Sequence, residues 1–184
     1  DDVLEFDETK YFKKNPYKII ANIPYNITGA ILRKFLSSDT QPERMVLLVQ
    51  KEVAERIVGR NPSAPLRTNK KESILSMSVK AYGAPLYIEK VPARYFSPAP
   101  KVDSAIIAIN AISKARFVNK KEEDAFFEIV KAGFAHKRKM LTGNLGECIP
   151  DTERAFKICA IPEKARAEDI TLDDWLCLSK ANII

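Results

Sequence analysis

The sequence predicts an α/β protein, in which a sheet alternating with helices is followed by a small domain made only of helices. Short apolar runs typical of buried strands, such as Lys18–Ala21 and Met45–Val49, alternate with amphipathic stretches in the first part of the chain. From about Ser113 onward strand-like runs are no longer found, and apolar residues recur at helical spacing. We therefore predict one domain at residues 1–112 and a second at 113–184, with the change of composition at about 111–120.

The first domain is expected to contain strands at residues 3–6, 18–21, 45–49, 86–91 and 104–109. The continuous apolar run at 45–49 suits a central parallel strand that is covered on both faces. Helices are expected at residues 28–36, capped by Thr28, and at 50–57 and 72–82. The last two strands are expected to form a terminal hairpin with an antiparallel edge strand. The polar stretch 59–71, with its two prolines, is expected to be an exposed, mobile loop.

The second domain is predicted to be helical because its apolar residues fall on single helical faces. Phe126, Ile129, Val130, Gly133 and Phe134 share one such face. Further helices are expected at residues 151–159, 162–168 and 171–181. No internal repeat or low-complexity segment is visible in the sequence.

Composition limits the possible functions. The formal net charge of +6 and the pI of about 9.2 favour a polyanionic partner, although only weakly. No apolar stretch approaches the length needed to cross a bilayer, and we expect no membrane contact. Three widely spaced cysteines and a single histidine, His136, offer no credible zinc site, so no metal is expected. The cysteines are expected to be buried thiols in a reducing compartment.

The most informative motif is Asn22–Tyr25, which follows directly on the apolar run Lys18–Ala21. Pro24 fixes its own φ and pushes Ile23 into an extended conformation, so the strand ends in a stiff corner. Asn22 and Pro24 supply carbonyl acceptors and Tyr25 supplies an aromatic face. Two acceptors beside a stacking surface suit the exocyclic amine of an adenine. The alternative is a strand that simply stops at a proline turn.

A second dense signal lies at Tyr95–Ser104, where aromatic residues precede two spaced prolines and a Lys-x-Asp-Ser sequence. Prolines stiffen the loop, so the ring of Phe96 can be held at low entropic cost. An extruded base could stack between Tyr25 and Phe96 at about 1–3 kcal/mol for each stack. This would offset the few kcal/mol required to flip a base out. Alternatively, Phe96 is a core anchor below a proline-rich turn.

Two charged segments complete the candidate residues. Lys137, Arg138 and Lys139 lie between apolar residues and would form a basic patch on a helix, suited to phosphate contacts or simply to solvent. His136 is expected to be a polar surface residue. Asp2, at the head of the first predicted strand, could accept a hydrogen bond from a cofactor adenine while the N–H of Val3 donates to a ring nitrogen. The alternative for Asp2 is a solvated acidic terminus.

Taken together, these segments closely resemble the ribosomal RNA adenine dimethyltransferase family. The matching stretches, in the family's order and spacing over essentially the whole chain, are Asp2–Phe6, Ala21–Thr28, Gln50–Arg56, Phe96–Ser104 and Phe134–Leu145. Five ordered motifs are far more specific than one. The resemblance implies a Rossmann-like methyltransferase sheet followed by a small helical domain that contacts RNA.

The resemblance also implies an activity, which is dimethylation of the N6 amines of adjacent adenines in small-subunit ribosomal RNA with S-adenosylmethionine as donor. It also implies site residues that match the family's motifs. The residues that bind the cofactor would be Asp2, Val3 and Asn22. The residues that hold the target adenine would be Asn22, Pro24, Tyr25 and Phe96, and those that contact RNA would be Lys101, Lys137, Arg138 and Lys139. The expected partner is the immature small ribosomal subunit, and we expect a cytoplasmic monomer.

The chain departs from the family pattern in one respect. The family carries a glycine-rich loop and an acidic ribose-binding residue before the point where this sequence begins, whereas none of the six glycines here forms a Gly-x-Gly cluster after a strand. We therefore expect an enzyme without its amino-terminal part, with weak or no cofactor binding by this chain alone. The alternative is a non-catalytic RNA-binding or ribosome-assembly factor. A large-subunit methyltransferase of the macrolide-resistance type fits Gln50–Glu52 and Lys101–Ser104 less well, and a DNA adenine methyltransferase does not account for the basic helical tail.

Overall fold

The structure is a computed structural model that describes residues 2–13, 15–59 and 71–181. Most of the predicted loop at 59–71 therefore lies outside the described residues. Two compact units are present, one with the described residues of 1–64 and 78–116 and the other with those of 65–77 and 117–184. The division into domains at residue 112 stays a prediction.

Twelve helices and strands make up the described part of the chain. In chain order they are α1 Glu8–Phe12, β1 Lys18–Asn22, α2 Thr28–Ser37, β2 Arg44–Gln50, α3 Lys51–Val58, α4 Ile74–Lys80, β3 Ala84–Val91, β4 Ser104–Asn110, α5 Lys120–Gly133, α6 Leu141–Leu145, α7 Thr152–Ile158 and α8 Leu172–Ala181. Two 3₁₀ turns, Tyr25–Ile27 and Ala93–Tyr95, follow β1 and β3. The predicted α/β class is confirmed, with helices alone after β4.

The sheet of the first unit has the strand order β1-β2-β4-β3. β1 and β2 are parallel, whereas β4 is antiparallel to both of its neighbours. The predicted terminal hairpin is confirmed, because β3 and β4 pair antiparallel and β3, whose neighbour in the sheet is β4, is the outermost strand. β4 itself lies inside the sheet and runs opposite to the other three strands. The long connection from Pro92 to Asp103 lets β4 turn back into the space between β2 and β3.

The two faces of this sheet differ in burial. On one face Met45, Leu47 and Ile109 are fully buried, and α3 packs against β2, β3 and β4. On the other face Ile20 is 81% exposed and Leu86 53% exposed, and both lie in one cross-strand row with Val46 and Ala108. The expectation that β2 is covered on both faces was wrong, because the helices described in this unit bury only one.

The chain before β1 also differs from the sequence prediction. Residues 3–6 form a turn instead of a strand, since the Asp2 carboxylate accepts a hydrogen bond from the N–H of Leu4 at 2.8 Å. The unpredicted helix α1 follows, and Asp7 caps it by accepting from the N–H of Thr9 at 3.1 Å. Thr28 is the first residue of α2 and does not cap it, because the 3₁₀ turn runs directly into the helix.

The second unit is built around Trp175 of α8, which is fully buried where α8 packs against α5. Gly133 at the end of α5 lets the indole approach closely, since a Cβ there would lie 2.3 Å from the ring. The ring of Phe134 stacks on the same indole with centroids 5.5 Å apart. The apolar helical face predicted for this segment is therefore the core of the unit.

Two of the three later helices were predicted correctly, as α7 and α8. The helix expected at 162–168 was wrong, because this segment forms successive turns in which the N–H of Ala165 donates to the carbonyl of Pro162 at 2.9 Å. Its buried residues Ala165, Ala167 and Ile170 are spaced by two and three positions, which does not mark out one helical face.

The cysteine prediction was also wrong in part. Cys159 and Cys177 form a disulfide that joins the end of α7 to α8, with their Cα atoms 5.8 Å apart. Cys148 is free and half-buried. The sequence separation of 18 residues between the bonded pair gave no sign that two helices would bring the thiols together. Among the helices of residues 2–13, 15–59 and 71–181, none is long and apolar enough to span a membrane.

Candidate active site

Three of the sequence motifs meet at one edge of the sheet. β1 ends at Asn22 and β2 ends at Gln50, while the antiparallel β4 begins at Ser104. In the register of the sheet Asn22 pairs with Leu48, and Ser104 pairs with Gln50 on one side and with Val91 on the other. Ligands of α/β sheets bind outside the carboxyl ends of the parallel strands. We call this end of the sheet, formed by the last residues of β1 and β2 and the first residue of β4, the sheet edge.

The Asn22–Tyr25 corner has the stiff geometry that its sequence predicts. Pro24 adopts φ −57° and ψ 135°, and Ile23 is buried with 5% of its surface exposed. The Asn22 side chain is exposed and has no hydrogen-bond partner among the described residues. The carbonyl of Pro24 accepts from the N–H of Ile27 at 3.2 Å, and its second lone pair remains available to a ligand.

Tyr25 is held at this edge by a residue that sequence reasoning did not single out. Its phenolic oxygen lies 2.7 Å from Oγ of Ser104, which is fully buried. The half-buried ring is thus tied to the first residue of β4. Ser104 closes the Lys-x-Asp-Ser sequence that precedes an apolar strand, but this local pattern does not identify Tyr25 as its partner.

The loop that carries Phe96 is anchored by Asp103. One carboxylate oxygen accepts from the N–H of Ala93 at 2.9 Å, and the other lies 2.8 Å from Nζ of Lys90. The hydrogen bond from Lys90, then that from Ala93, holds the pKa of the Asp103 carboxyl below its ordinary value. The carbonyl of Asp103 accepts from the N–H of Lys51 at 3.0 Å, which joins the Gln50–Arg56 motif to the same edge.

Phe96 itself is half-buried, and the N–H of Phe96 donates to the carbonyl of Ala93 at 3.1 Å. The rings of Tyr25 and Phe96 do not stack on each other in the described part of the chain. Both loops connect to the Asp103–Ser104 pair, so the structure brings their anchors together. The base sandwich between the two rings stays a prediction.

Asp2 and Val3 lie in the turn that precedes α1, and both are exposed. Because one oxygen of the Asp2 carboxylate accepts from Leu4, the other is left for an external donor. Their part in cofactor binding stays a prediction.

The basic cluster lies on a turn and not on a helix, which corrects the sequence prediction. Residues 135–140, here called the basic turn, follow the end of α5 at Gly133. The Asn144 amide donates to the carbonyls of Gly133 and His136 at 2.6 and 3.1 Å, and these two bonds connect the start of the turn to the end of α5. The first bond satisfies the carbonyl of Gly133, the last residue of α5, and the second holds the turn itself, so the charges lie beyond the end of the helix.

Lys137, Arg138 and Lys139 are exposed on this turn and make no ion pair within residues 2–13, 15–59 and 71–181. Lys101 is exposed on the Phe96 loop, and His136 is exposed as predicted. In the described part of the chain, no group of three or more His, Cys, Asp or Glu could bind a metal ion.

The sheet order and the parallel strands that end at the motifs define a Rossmann-like α/β domain. Two solved structures share this fold, the 23S rRNA methyltransferase ErmE with a TM-score of 0.68 and 24% identity, and a dimethyladenosine transferase from Plasmodium falciparum with a TM-score of 0.66 and 22% identity. The alignments cover 92% and 90% of this chain and 66% and 69% of those chains.

Over residues 1–183 the chain matches the family described as "Ribosomal RNA adenine dimethylase", and it belongs to that family. It is 37% identical over 183 residues to ribosomal RNA small subunit methyltransferase A of Fusobacterium nucleatum, covering 98% of this chain and 66% of the relative. It is 36% identical over 184 residues to the protein of the same name from Dehalococcoides mccartyi, covering 96% of this chain and 60% of the relative. The chain thus spans somewhat less than two thirds of these relatives.

Proposed function

We propose that this protein dimethylates the N6 amines of adjacent adenines in small-subunit ribosomal RNA, with S-adenosylmethionine as methyl donor. The observation that carries the proposal is the meeting of Asn22, Tyr25 and Ser104 at the carboxyl edge of the sheet in a member of this family. The relatives named for small-subunit methylation support the choice of RNA. In this function the protein acts as a monomer in the cytoplasm and takes part in ribosome assembly.

Asn22 and Pro24 hold the reacting amine. An adenine amine is a poor nucleophile because its lone pair is delocalised into the ring. The exposed Asn22 amide oxygen and the free lone pair of the Pro24 carbonyl can accept both amine hydrogens, which favours a localised lone pair. The reaction then needs in-line geometry more than acid–base chemistry, so positioning supplies much of the rate.

Tyr25 and Phe96 hold the base. Each can contribute a stack of about 1–3 kcal/mol, enough to offset the cost of extruding an adenine. The ring of Tyr25 is fixed through Ser104, and the Phe96 loop is fixed through Asp103. An edge that stays open after one transfer lets a monomethylated adenine react again.

The residues present fit one end of S-adenosylmethionine, which supplies an electrophilic methyl group on a sulfonium. The free oxygen of the Asp2 carboxylate and the N–H of Val3 suit the amine and a ring nitrogen of the cofactor adenine. Asn22 would lie between the cofactor and the target base.

RNA contacts are assigned to the cations Lys101, Lys137, Arg138 and Lys139. The three on the basic turn are exposed and unpaired within the described chain, and such cations release counterions when they meet phosphates. These contacts place the protein on RNA without reading sequence, which leaves selection of the adenine to the sheet edge.

A second candidate is a non-catalytic RNA-binding or ribosome-assembly factor. The observation that favours it is the basic turn, whose three cations are exposed and make no ion pair within the described residues. Such a protein would bind immature small subunits with a strong dependence on salt and would transfer no methyl group.

The deciding experiment is methyl transfer to immature small ribosomal subunits, using the protein as its source produces it and labelled S-adenosylmethionine. Dimethyladenosine should appear in digested RNA, and Asn22→Ala should abolish it while RNA binding persists. Asn15→Ala, which changes an exposed asparagine outside the sheet edge, is the matched control and should stay active. Tight, salt-dependent binding with no methylated nucleoside would reject the enzyme and support the second candidate.

A further inference from the structure

Ser104 occupies a rigid and enclosed position. It is the first residue of β4, with 0% of its surface exposed, and its backbone pairs with Gln50 on one side and Val91 on the other. Strands on both sides fix the Cα position, so the direction of the side chain is set by the sheet.

The hydroxyl of Ser104 has a single described side-chain partner, the phenol of Tyr25 at 2.7 Å. A buried hydroxyl without a partner would be costly, so this bond has a physical reason to persist. Tyr25 belongs to a different segment, the 3₁₀ turn that follows β1, and the two residues are 79 positions apart. The contact therefore joins the two halves of the base-binding edge.

The bond acts on the far end of the tyrosine side chain. A tyrosine at the surface of a turn can swing about χ1 between staggered rotamers. Anchoring the phenolic oxygen fixes the axis of the ring, so that the half-buried ring of Tyr25 cannot swing away from the edge. A stacking surface that is already in place costs less entropy when a base binds.

The geometry points to Ser104 as a positioning residue for base binding. Its buried hydroxyl fixes the Tyr25 ring so that an extruded adenine meets a preformed stacking surface with its amine directed to Asn22 and Pro24. Ser104 acts through Tyr25 and touches no reacting atom. This inference rests on the proposed function and deepens it, because it assigns the orientation of the target base to a residue outside the Asn22–Tyr25 motif.

A double-mutant cycle tests the assignment. The variants are Ser104→Ala, Tyr25→Phe, which keeps the ring and removes the hydroxyl, and the combination of both, in the protein as its source produces it. Ser179→Ala is the matched control, since Ser179 is also a buried serine, 4% exposed, whose hydroxyl bonds within α8. Thermal unfolding of each variant separates loss of the fold from loss of positioning.

Two readouts are measured for every variant. The first is kcat and KM for methyl transfer to immature small subunits. The second is the fluorescence of 2-aminopurine in a short single-stranded RNA, which is quenched when this adenine analogue stacks on an aromatic ring. We expect Ser104→Ala and Tyr25→Phe each to lower kcat by about ten- to a hundredfold, as misplacement of reacting groups does, with KM little changed. Both should also weaken quenching.

In the Tyr25→Phe background, Ser104→Ala should add no further loss in either readout, because the bond is already broken. Losses that multiply in the double variant, or a Ser104→Ala protein with normal kcat and quenching, would overturn the assignment. Failure of the proposed function looks different, because the unsubstituted protein would then transfer no methyl group. The quenching cycle would still decide whether Ser104 positions Tyr25.

Discussion

The sheet edge and the basic turn are both candidate contact sites for RNA, but they are built in opposite ways. At the sheet edge, directional hydrogen bonds fix each element, as between Tyr25 and Ser104 at 2.7 Å and between Asp103 and Ala93 at 2.9 Å. On the basic turn the functional groups of Lys137, Arg138 and Lys139 are exposed and have no ion-pair partner within the described residues. Hydrogen bonds from the Asn144 amide to the carbonyls of Gly133 and His136 hold the backbone of the turn and leave these three side chains unrestrained.

This difference teaches which kind of recognition each site can provide. Directional hydrogen bonds fix the position and orientation of the side chains that hold a reacting amine, and the rate of transfer depends strongly on that geometry. Exposed cations interact through charge over a Debye length of about 8–10 Å, so their exact rotamers matter little. Substitutions at the edge should therefore affect the chemical step, whereas substitutions on the turn should affect binding and its dependence on salt.

The largest expected effect comes from removing the support of the basic turn. Trp175→Ala should destabilise the helical unit by about 3–5 kcal/mol, because a fully buried indole that contacts Gly133 and Phe134 leaves a large cavity. RNA affinity should fall together with the helical unfolding transition in calorimetry, while 2-aminopurine quenching at high RNA concentration persists. Trp175→Phe is the control with a smaller cavity. Equal loss of quenching and affinity would show that the two sites do not act separately.

A smaller effect is expected from neutralising the turn itself. Changing Lys137, Arg138 and Lys139 together to alanine should weaken RNA binding and lower the slope of log affinity against log salt by about 2–3, since each phosphate contact contributes about 0.7–0.9. Fluorescence anisotropy with a labelled ribosomal RNA fragment at several salt concentrations measures both quantities.

The matched control for this triple variant removes three exposed cations from helices of the same unit, Lys121, Arg154 and Lys157. The control should keep most of the slope, because these charges lie outside the basic turn. If both triple variants lower the slope equally, net charge and not the turn determines RNA binding.

The smallest expected effect concerns pH at the sheet edge. The pKa of Asp103 is lowered in the folded protein, so its anchoring of the Phe96 loop is fully present above the ordinary carboxyl value of 3.8 and is lost as the pH falls through the lower folded-state value. The protection factor of the Ala93 amide against hydrogen exchange, measured by NMR, should stay constant above the ordinary carboxyl value of 3.8 and fall as the pH is lowered below it. In Asp103→Asn the protection should be weaker and nearly independent of pH. A protection factor that does not change with pH in the unsubstituted protein would contradict this anchoring.

Local sequence determined much of the molecule. The β-branched and apolar runs specified β1 and β2 because such residues favour extended backbone, although β1 is an outer strand whose Ile20 is exposed and not the buried strand that its composition predicts. The Asn22–Tyr25 corner was readable because Pro24 restricts itself and its neighbour without help from tertiary contacts. The family could also be recognised from the sequence, because the order and spacing of its motifs do not depend on how their residues pack.

Only the tertiary structure decided how distant segments meet. The place of β4 inside the sheet, the bond from Ser104 to Tyr25 and the disulfide between Cys159 and Cys177 all join residues that no short window of sequence contains. The end of α5 before the basic residues belongs to the same group, because it depends on the Asn144 side chain and on packing against Trp175. Local propensity acts over a few residues, whereas these features depend on hydrogen bonds and packing that form only when the chain has folded.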